Sequence, residues 1–259
     1  MHIGPGTRAL VTGASRGIGE AVVRAFAARG ATLGLVARSA EELATLASSL
    51  PGSGHRALAA DVSEPASIAG AVEQFGEIDV LVANAGIAHY MPFHDVPLEK
   101  AEQMTSVNWL GTLYTVKAAL PGMLERHRGH LVIVSSGAGL RAFPEAAVYG
   151  GTKAAQRGFS EALRHELDGT GVSLTTVYPG EVKSHLHDHE RERMPAWYTG
   201  NAAPAEPLAE QIVVAVENDK RAVYYPPIVR LLRIAHGISP ALGDAMLRRL
   251  RGRSAAPRR

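Results

Sequence analysis

Ser136, Tyr149 and Lys153 occur as Ser-x12-Tyr-Gly-Gly-Thr-Lys. On a helix, Tyr149 and Lys153 stand one turn apart on the same face. A phenol ordinarily loses its proton near pH ~10, and an adjacent ammonium favours the phenolate. The spacing therefore predicts a proton-transfer pair in which Lys153 lets Tyr149 act near neutral pH, with the Ser136 hydroxyl upstream. Taken singly, each has a plainer reading: a half-buried helix tyrosine, a strand-end cap and a surface charge.

A second constellation lies near the start, Arg8-Ala-Leu-Val-Thr-Gly13-Ala-Ser-Arg-Gly17-Ile-Gly19, a short apolar strand running into a glycine turn and then a helix. Gly13 and Gly17 would let the backbone approach a pyrophosphate at the helix N-terminus, and Gly19 would allow tight helix packing. The spacing is G-x-x-x-G-x-G rather than G-x-G-x-x-G, and glycine-rich turns also simply end strands.

From residue 7 to about residue 184 the motifs and their order resemble those of the short-chain dehydrogenase/reductase family. The resemblance makes Thr12 to Gly19, including Ser15, Arg16 and Ile18, the cofactor turn, and Asn84-Ala85-Gly86 the motif that steadies the sheet beside it. Asn108, Ser136, Tyr149 and Lys153 fall on the catalytic positions. Pro179-Gly180 falls on the nicotinamide-side loop, followed by Val182 and Ser184. By the same resemblance, Tyr149 is the general acid or base and Ser136 polarises and orients the carbonyl. Lys153 lowers the tyrosine pKa and holds the nicotinamide ribose, and Asn108 bends its helix and positions a relay water. Two departures stand out: Ala83 replaces the first Asn of the commoner Asn-Asn-Ala-Gly, and Ser184 stands where a Thr often contacts the carboxamide.

These residues need a scaffold. Val/Leu/Ile-rich runs at 9–12, 32–37, 57–60, 80–83, 131–135, 174–178 and 222–225 lack strict alternation and have helical patterns between them. Strands covered on both faces give that pattern, so a Rossmann-like, doubly wound, mostly parallel α/β sheet of seven strands is expected. Gly30 is expected to cap the first helix, and Pro65 and Pro97 to sit near later helix starts. Ligands of such sheets bind outside the carboxyl ends of the strands. Gly13, Asn84, Ser136 and Pro179 each follow a predicted strand.

At 259 residues and 46% hydrophobic content the chain can bury one sizeable core. The expected organisation is a catalytic and cofactor-binding domain over 1–226, a helical extension over 227–251 and a basic tail over 252–259. With no cysteine there is neither a disulfide framework nor a thiol nucleophile. No charged-then-apolar leader is evident, and no apolar run nears the ~18 residues of a membrane span, so a cytoplasmic location is expected. The net charge of +2 hides a split: residues 220–259 carry ten Lys or Arg against Asp244 alone, so +9, and the rest carries −7. Nucleic-acid binding is not implied for the body.

The cofactor end favours NADP(H). Strand two ends Ala37-Arg38, where an NAD site would offer Asp or Glu to the ribose, and the guanidinium groups of Arg38 and Arg16 suit a 2′-phosphate. Their plainer reading is two solvated surface charges. Asp61 and Val62 resemble the family's adenine contact, although an Asp there also caps turns.

At the substrate end, walls are expected from 89–94, 137–147 and a lid over 181–201. Tyr90, Met91, Phe93, Leu140, Phe143, Met194, Trp197 and Tyr198 would make an apolar cleft for a lipophilic ketone or secondary alcohol. His185 and His189 have a zinc-compatible spacing, yet a solvated lid without metal is the expectation. Ile228 to Ala235 predicts an amphipathic helix with Arg230 and Arg233 on one face. A second helix is expected from Ser239-Pro240 to Gly252, with Arg248, Arg249 and Arg251 in its last turn. The extension either packs on the body or a partner subunit, which is favoured, or lies on an anionic membrane.

The expected function is NADP(H)-dependent carbonyl/alcohol oxidoreduction by a homodimer or homotetramer. The alternatives are a non-catalytic nucleotide-binding scaffold and an epimerase or dehydratase sharing the motifs.

Overall fold

The computed structural model describes residues 1–184, 186, 195, 200–241 and 243–245. The lid histidines, Met194, Trp197, Tyr198 and residues 246–259, with most of the expected second extension helix, lie outside the described residues.

Seven strands form a single sheet: β1 (Arg8–Thr12), β2 (Thr32–Ala37), β3 (Arg56–Ala59), β4 (Val80–Ala83), β5 (Gly129–Val134), β6 (Val172–Pro179) and β7 (Ala222–Tyr225). Their order is β3-β2-β1-β4-β5-β6-β7, and every neighbouring pair is parallel. The strands read as continuous apolar runs because both faces are covered. Val11, Leu35, Val82 and Val132 face the layer of α1 (Gly17–Ala27), α2 (Ala40–Ser49) and α8 (Glu206–Glu217). Leu10, Val36, Leu81 and Ile133 face α3 (Pro65–Phe75), α5 (Gly111–Glu125) and α7 (Ala147–Glu166). Strands β5 and β6 each begin two residues before the apolar signal, because parallel pairing enrols Gly129, His130, Val172 and Ser173. Buried His130 is satisfied there by the Thr175 hydroxyl, 2.8 Å from its Nε2, and burial holds its pKa down at about 4.

The helix boundaries follow local chemistry. Pro65 is the first residue of α3, where its missing donor costs nothing. Pro97 precedes α4 (Leu98–Met104). Gly30 takes φ 87° two residues beyond the last capped position of α1. Between α4 and α5 the chain widens into a π-helical turn, Thr105–Leu110, containing Asn108. A short α6 (Gly137–Leu140) follows β5, and α9 (Ile228–Ile238) follows β7.

The strand order reverses between β1 and β4, and their ends are tied together. The Asn84 side chain donates to Thr12 O (3.0 Å) and Gly13 O (3.1 Å). The Thr12 hydroxyl accepts from the backbone N–H groups of Asn84 and Ala85. The tether fixes the crevice at the carboxyl edge of the sheet, where a doubly wound fold holds its ligand.

Candidate active site

One cavity of about 670 Å³ opens along that edge, within the usual range for small-molecule sites. Gly13, Ser15, Arg16 and Ile18 form its floor beside β1. Gly13 has φ 65°, and a Cβ on it would stand 2.9 Å from Ala85 Cα and Asn84 Nδ2. A Cβ on Gly19 would lie 2.0 Å from Gly13 O, so helix α1 starts against the turn only because neither residue has a side chain. Gly17 opens α1 at φ 61°. Neither Gly17 nor Gly19 lines the cavity; they set the approach of the helix N-terminus, whose unpaired N–H groups suit a phosphate.

Arg16, Arg38, Asp61 and Val62 line the same end. Asp61 accepts both the Ser63 backbone N–H (2.9 Å) and the Ser63 hydroxyl (2.7 Å), so it caps the turn and also faces the cavity. Burial pushes its carboxyl up, but those bonds and the Arg38 charge outweigh this and leave its pKa below the ordinary value.

Ser136, Tyr149 and Lys153 converge midway along the cavity. Ser136 leaves β5 and caps α6, its hydroxyl accepting from Ala138 N–H (3.1 Å). It also donates to Pro179 O at 3.5 Å and stands beside the phenol of Tyr149, which is buried on α7 against Tyr90, ring centroids 5.8 Å apart. Lys153 is buried, its Nζ donating to Val134 O at 3.0 Å and lying 5.9 Å from the Tyr149 ring centroid.

The electrostatics correct the expectation of a lowered phenol. Burial raises the Tyr149 pKa above 10, with the Ser136 hydrogen bond pulling the other way. Burial also pushes the Lys153 ammonium down to about 7. Desolvation disfavours both charged forms, and in these surroundings Lys153 is only partly protonated near neutral pH, so its help to a phenolate is curtailed.

Asn108 is fully buried behind this group. Its Oδ1 accepts from Ile87 N–H (2.8 Å), and its Nδ2 donates to Ile87 O (2.9 Å) and Thr152 Oγ1 (3.1 Å). Its backbone carbonyl accepts from Thr112 and Gln156. Asn108 thus binds the loop after β4 to helix α7, and its main-chain carbonyl has both lone pairs engaged. A Cβ on Gly86 would stand 3.2 Å from Asn108 Oδ1 and 3.5 Å from Lys153 Nζ, so a side chain at residue 86 would crowd the Asn108 amide while making ordinary contact with Lys153.

Asn84, Ala85, Pro179, Gly180, Val182 and Ser184 complete the wall around this centre. Gly180 N–H is held by Tyr225 O (2.7 Å), and Val182 forms a bridge with Ala203. The Ser184 hydroxyl accepts from Leu186 N–H at 3.4 Å.

At the far end Tyr90, Leu140 and Phe143 line the cavity as expected, whereas Met91 and Phe93 do not. Phe93 is 71% exposed, in a 3-10 turn that carries it away from the site. Val229 and Leu232 of α9 take part in the wall instead, a role that amphipathic periodicity alone did not indicate. The sequence places Thr12 in the cofactor turn but does not show that its hydroxyl ties the loop after β4, since that partner lies some seventy residues away. Among the described residues there is no cluster of three metal-capable side chains.

Residues 7–195 match the family model described as short chain dehydrogenase. The chain belongs to that family. Among relatives of the short chain dehydrogenase, the NADP-dependent 3-hydroxy acid dehydrogenase YdfG of Salmonella typhi is 41% identical over 180 residues, 67% of this chain and 71% of that protein. The closed form of a serine dehydrogenase complexed with NADP+ is 31% identical, with TM-score 0.78, covering 86% of this chain and 95% of that one. A 3-ketoacyl-(acyl-carrier-protein) reductase from Brucella melitensis, complexed with NADH, is 26% identical with TM-score 0.78, covering 85% and 97%.

The burial of Lys153 has a measurable consequence. Unfolded, it titrates near 10.5; folded, near 7. Between those values the unfolded chain holds more protons, so stability rises with pH across about 7 to 10.5. Urea midpoints of the cofactor-free protein are expected to climb from neutral pH to the middle of that window, and to climb less in Lys153→Met.

Proposed function

We propose that this short chain dehydrogenase is an NADP(H)-dependent oxidoreductase interconverting a carbonyl and a secondary alcohol. The observation that carries the reading is the convergence of Ser136, Tyr149 and Lys153 in one cavity with the glycine turn. The nicotinamide, when bound, supplies or accepts the hydride. Ser136 holds the reacting oxygen by its hydroxyl, and Tyr149 gives a proton to that oxygen or takes it back. A phenol kept protonated by burial suits donation, the direction of carbonyl reduction. Lys153 has one carbonyl partner and spare donors for a ribose hydroxyl.

The glycine turn, Asn84 to Gly86 and Pro179 to Ser184 would hold the dinucleotide. The preference for NADP(H) rests on Ala37, where an acidic ribose partner is missing, and on Arg16 and Arg38 in the wall. Known relatives bind either form: NADP+ in the serine dehydrogenase, NADH in the ketoacyl reductase. Tyr90, Leu140, Phe143, Val229 and Leu232 favour a lipophilic substrate. Arg233 in the same wall favours a second reading, an oxo or hydroxy acid, the latter the class named for the Salmonella relative. A cysteine-free chain suits a reducing cytoplasm, and a homodimer or homotetramer is the assembly proposed.

The partner of α9 is open on one side. Val229 and Ala235 are buried against the body, while Leu231, Ile234 and Ile238 are 51%, 48% and 74% exposed, flanked by Arg230 and Arg233. This outer face, in a segment of charge +9, suits an anionic lipid surface. Among the described residues no helix is long and apolar enough to cross a membrane.

Three outcomes test these readings. With NADPH and a panel of aliphatic ketones, aromatic ketones and 3-oxo acids, Tyr149→Phe should lower turnover by about 10²–10⁴-fold and leave NADPH binding intact; unchanged turnover would remove Tyr149 from the chemistry. Arg38→Asp should shift the ratio of kcat/KM values toward NADH by about 10- to 100-fold. The protein should sediment with phosphatidylserine vesicles at low salt, less so as Leu231→Glu, and pelleting insensitive to salt would end the membrane reading.

A further inference from the structure

Helix α9 lies beyond the residues that match the family model, yet it sits on the catalytic loops. A Cβ on Gly180 would stand 3.1 Å from Val229 Cγ2, and one on Gly137 would stand 3.6 Å from Val229 Cγ1. Val229 packs with Leu140 and Tyr178, and Leu232, three residues on, lines the same cavity. The two loops that α9 covers are those carrying Ser136 and Pro179. Any change in the position of this helix therefore changes the space in front of Ser136 and Tyr149.

An eleven-residue helix is marginal by itself, so its position must come from contacts. Two anchors are present. Arg233 lies over the Tyr224 ring at 5.5 Å, and Tyr224 stacks on Tyr178 at 5.2 Å. Beyond the helix, Asp244 pairs with Arg141. Arg141 caps the end of α6, five residues after Ser136, and itself lines the cavity. Asp244 is the sole acidic residue among 220–259, against ten Lys or Arg. A lone carboxylate in so basic a segment favours the docking that pairs it with Arg141, because no other side chain of the segment can neutralise that guanidinium.

We propose that Val229 and Leu232 are specificity-determining residues that select the substrate by its apolar bulk, and that Arg141 and Asp244 are the positioning pair that holds them over the catalytic centre. The turnover arm of the test rests on the oxidoreductase reading; the binding arm does not. Breaking the pair as Asp244→Asn loosens the wall and leaves a guanidinium without its counter-ion beside the apolar cleft. Both partners are partly exposed, with side chains 27% and 39% accessible, so the effect is modest and sits in substrate affinity rather than in the chemical step.

The experiment uses the full chain and two readouts. Saturable binding of 6-propionyl-2-(dimethylamino)naphthalene, a neutral fluorescent ketone, is titrated without cofactor, and KM and kcat with NADPH are measured for 2-alkanones of increasing length. Leu232→Ala should weaken the probe by about tenfold and change the rank order of chain lengths. Asp244→Asn should raise the probe Kd and the KM by about three- to fivefold with little change in kcat. The reversed pair, Arg141→Asp with Asp244→Arg, should recover most of the loss, which distinguishes positioning from general damage to folding. NADPH affinity should stay unchanged in all variants. Probe binding that is absent from the native protein, or the same in native, Leu232→Ala and Asp244→Asn proteins, overturns the proposal, as does a reversed pair that binds no better than Asp244→Asn. If no alkanone is reduced but the probe follows this pattern, the oxidoreductase reading fails and the wall assignment stands.

Discussion

A lysine ammonium enclosed by protein, with one backbone carbonyl at 3.0 Å, is the constraint on which the site depends. Removing a cation from most of its water is expensive, and the chain meets the demand by two means. Lys153 yields part of its charge, its pKa pressed to about 7. Val134 at the end of β5 gives its carbonyl. The neighbouring phenol pays a matching desolvation and stays protonated. Near neutral pH Tyr149 is therefore a neutral donor beside a partly protonated Lys153.

Everything around the pair serves to hold that burial in register. Asn108 uses a π-helical turn to reach the Ile87 backbone and the Thr152 hydroxyl on α7, so the helix bearing Tyr149 and Lys153 cannot slide against the loop after β4. Thr12 and Asn84 tie β1 to β4 at the point where the strand order reverses. The two tethers fix opposite sides of one crevice. An all-parallel sheet brings every carboxyl-terminal strand end to the same edge, and this is how residues as far apart in the chain as Gly13 and Ser184 come to line a single cavity.

The extension alters how the cavity ends. Helix α9 has an apolar arc wide enough to do two things: Val229 and Ala235 bury against the body, while Leu231, Ile234 and Ile238 remain outside. The inner part of the arc closes one end of the cavity, and the outer part lies in a strongly basic segment. The cavity wall and any surface that the outer arc meets are therefore joined through one short helix.

By itself the sequence determined the layer architecture, the seven strands within two residues at either end, and the identity of the polar groups that gather at the strand ends. These are local matters: apolar runs between turn residues, helix starts at Pro65 and Pro97, and short motifs whose spacing is set by a single turn of helix. Only the tertiary structure decided the direction of the Tyr149 pKa, the engagement of Asn108 with Ile87, Thr152 and Gln156, the exclusion of Met91 and Phe93 from the wall, and the entry of Val229 and Leu232 into it. Each of these turns on burial or on partners distant in the chain. Spacing shows that Lys153 lies near Tyr149, but the dielectric around both is made by β5 and the packed sheet. Likewise, periodicity shows that α9 has an apolar face, but which arc of that face meets the cavity is set by where Tyr224, Tyr178 and Arg141 stand. Desolvation and docking are properties of the assembled fold, and no stretch of neighbouring residues encodes them alone.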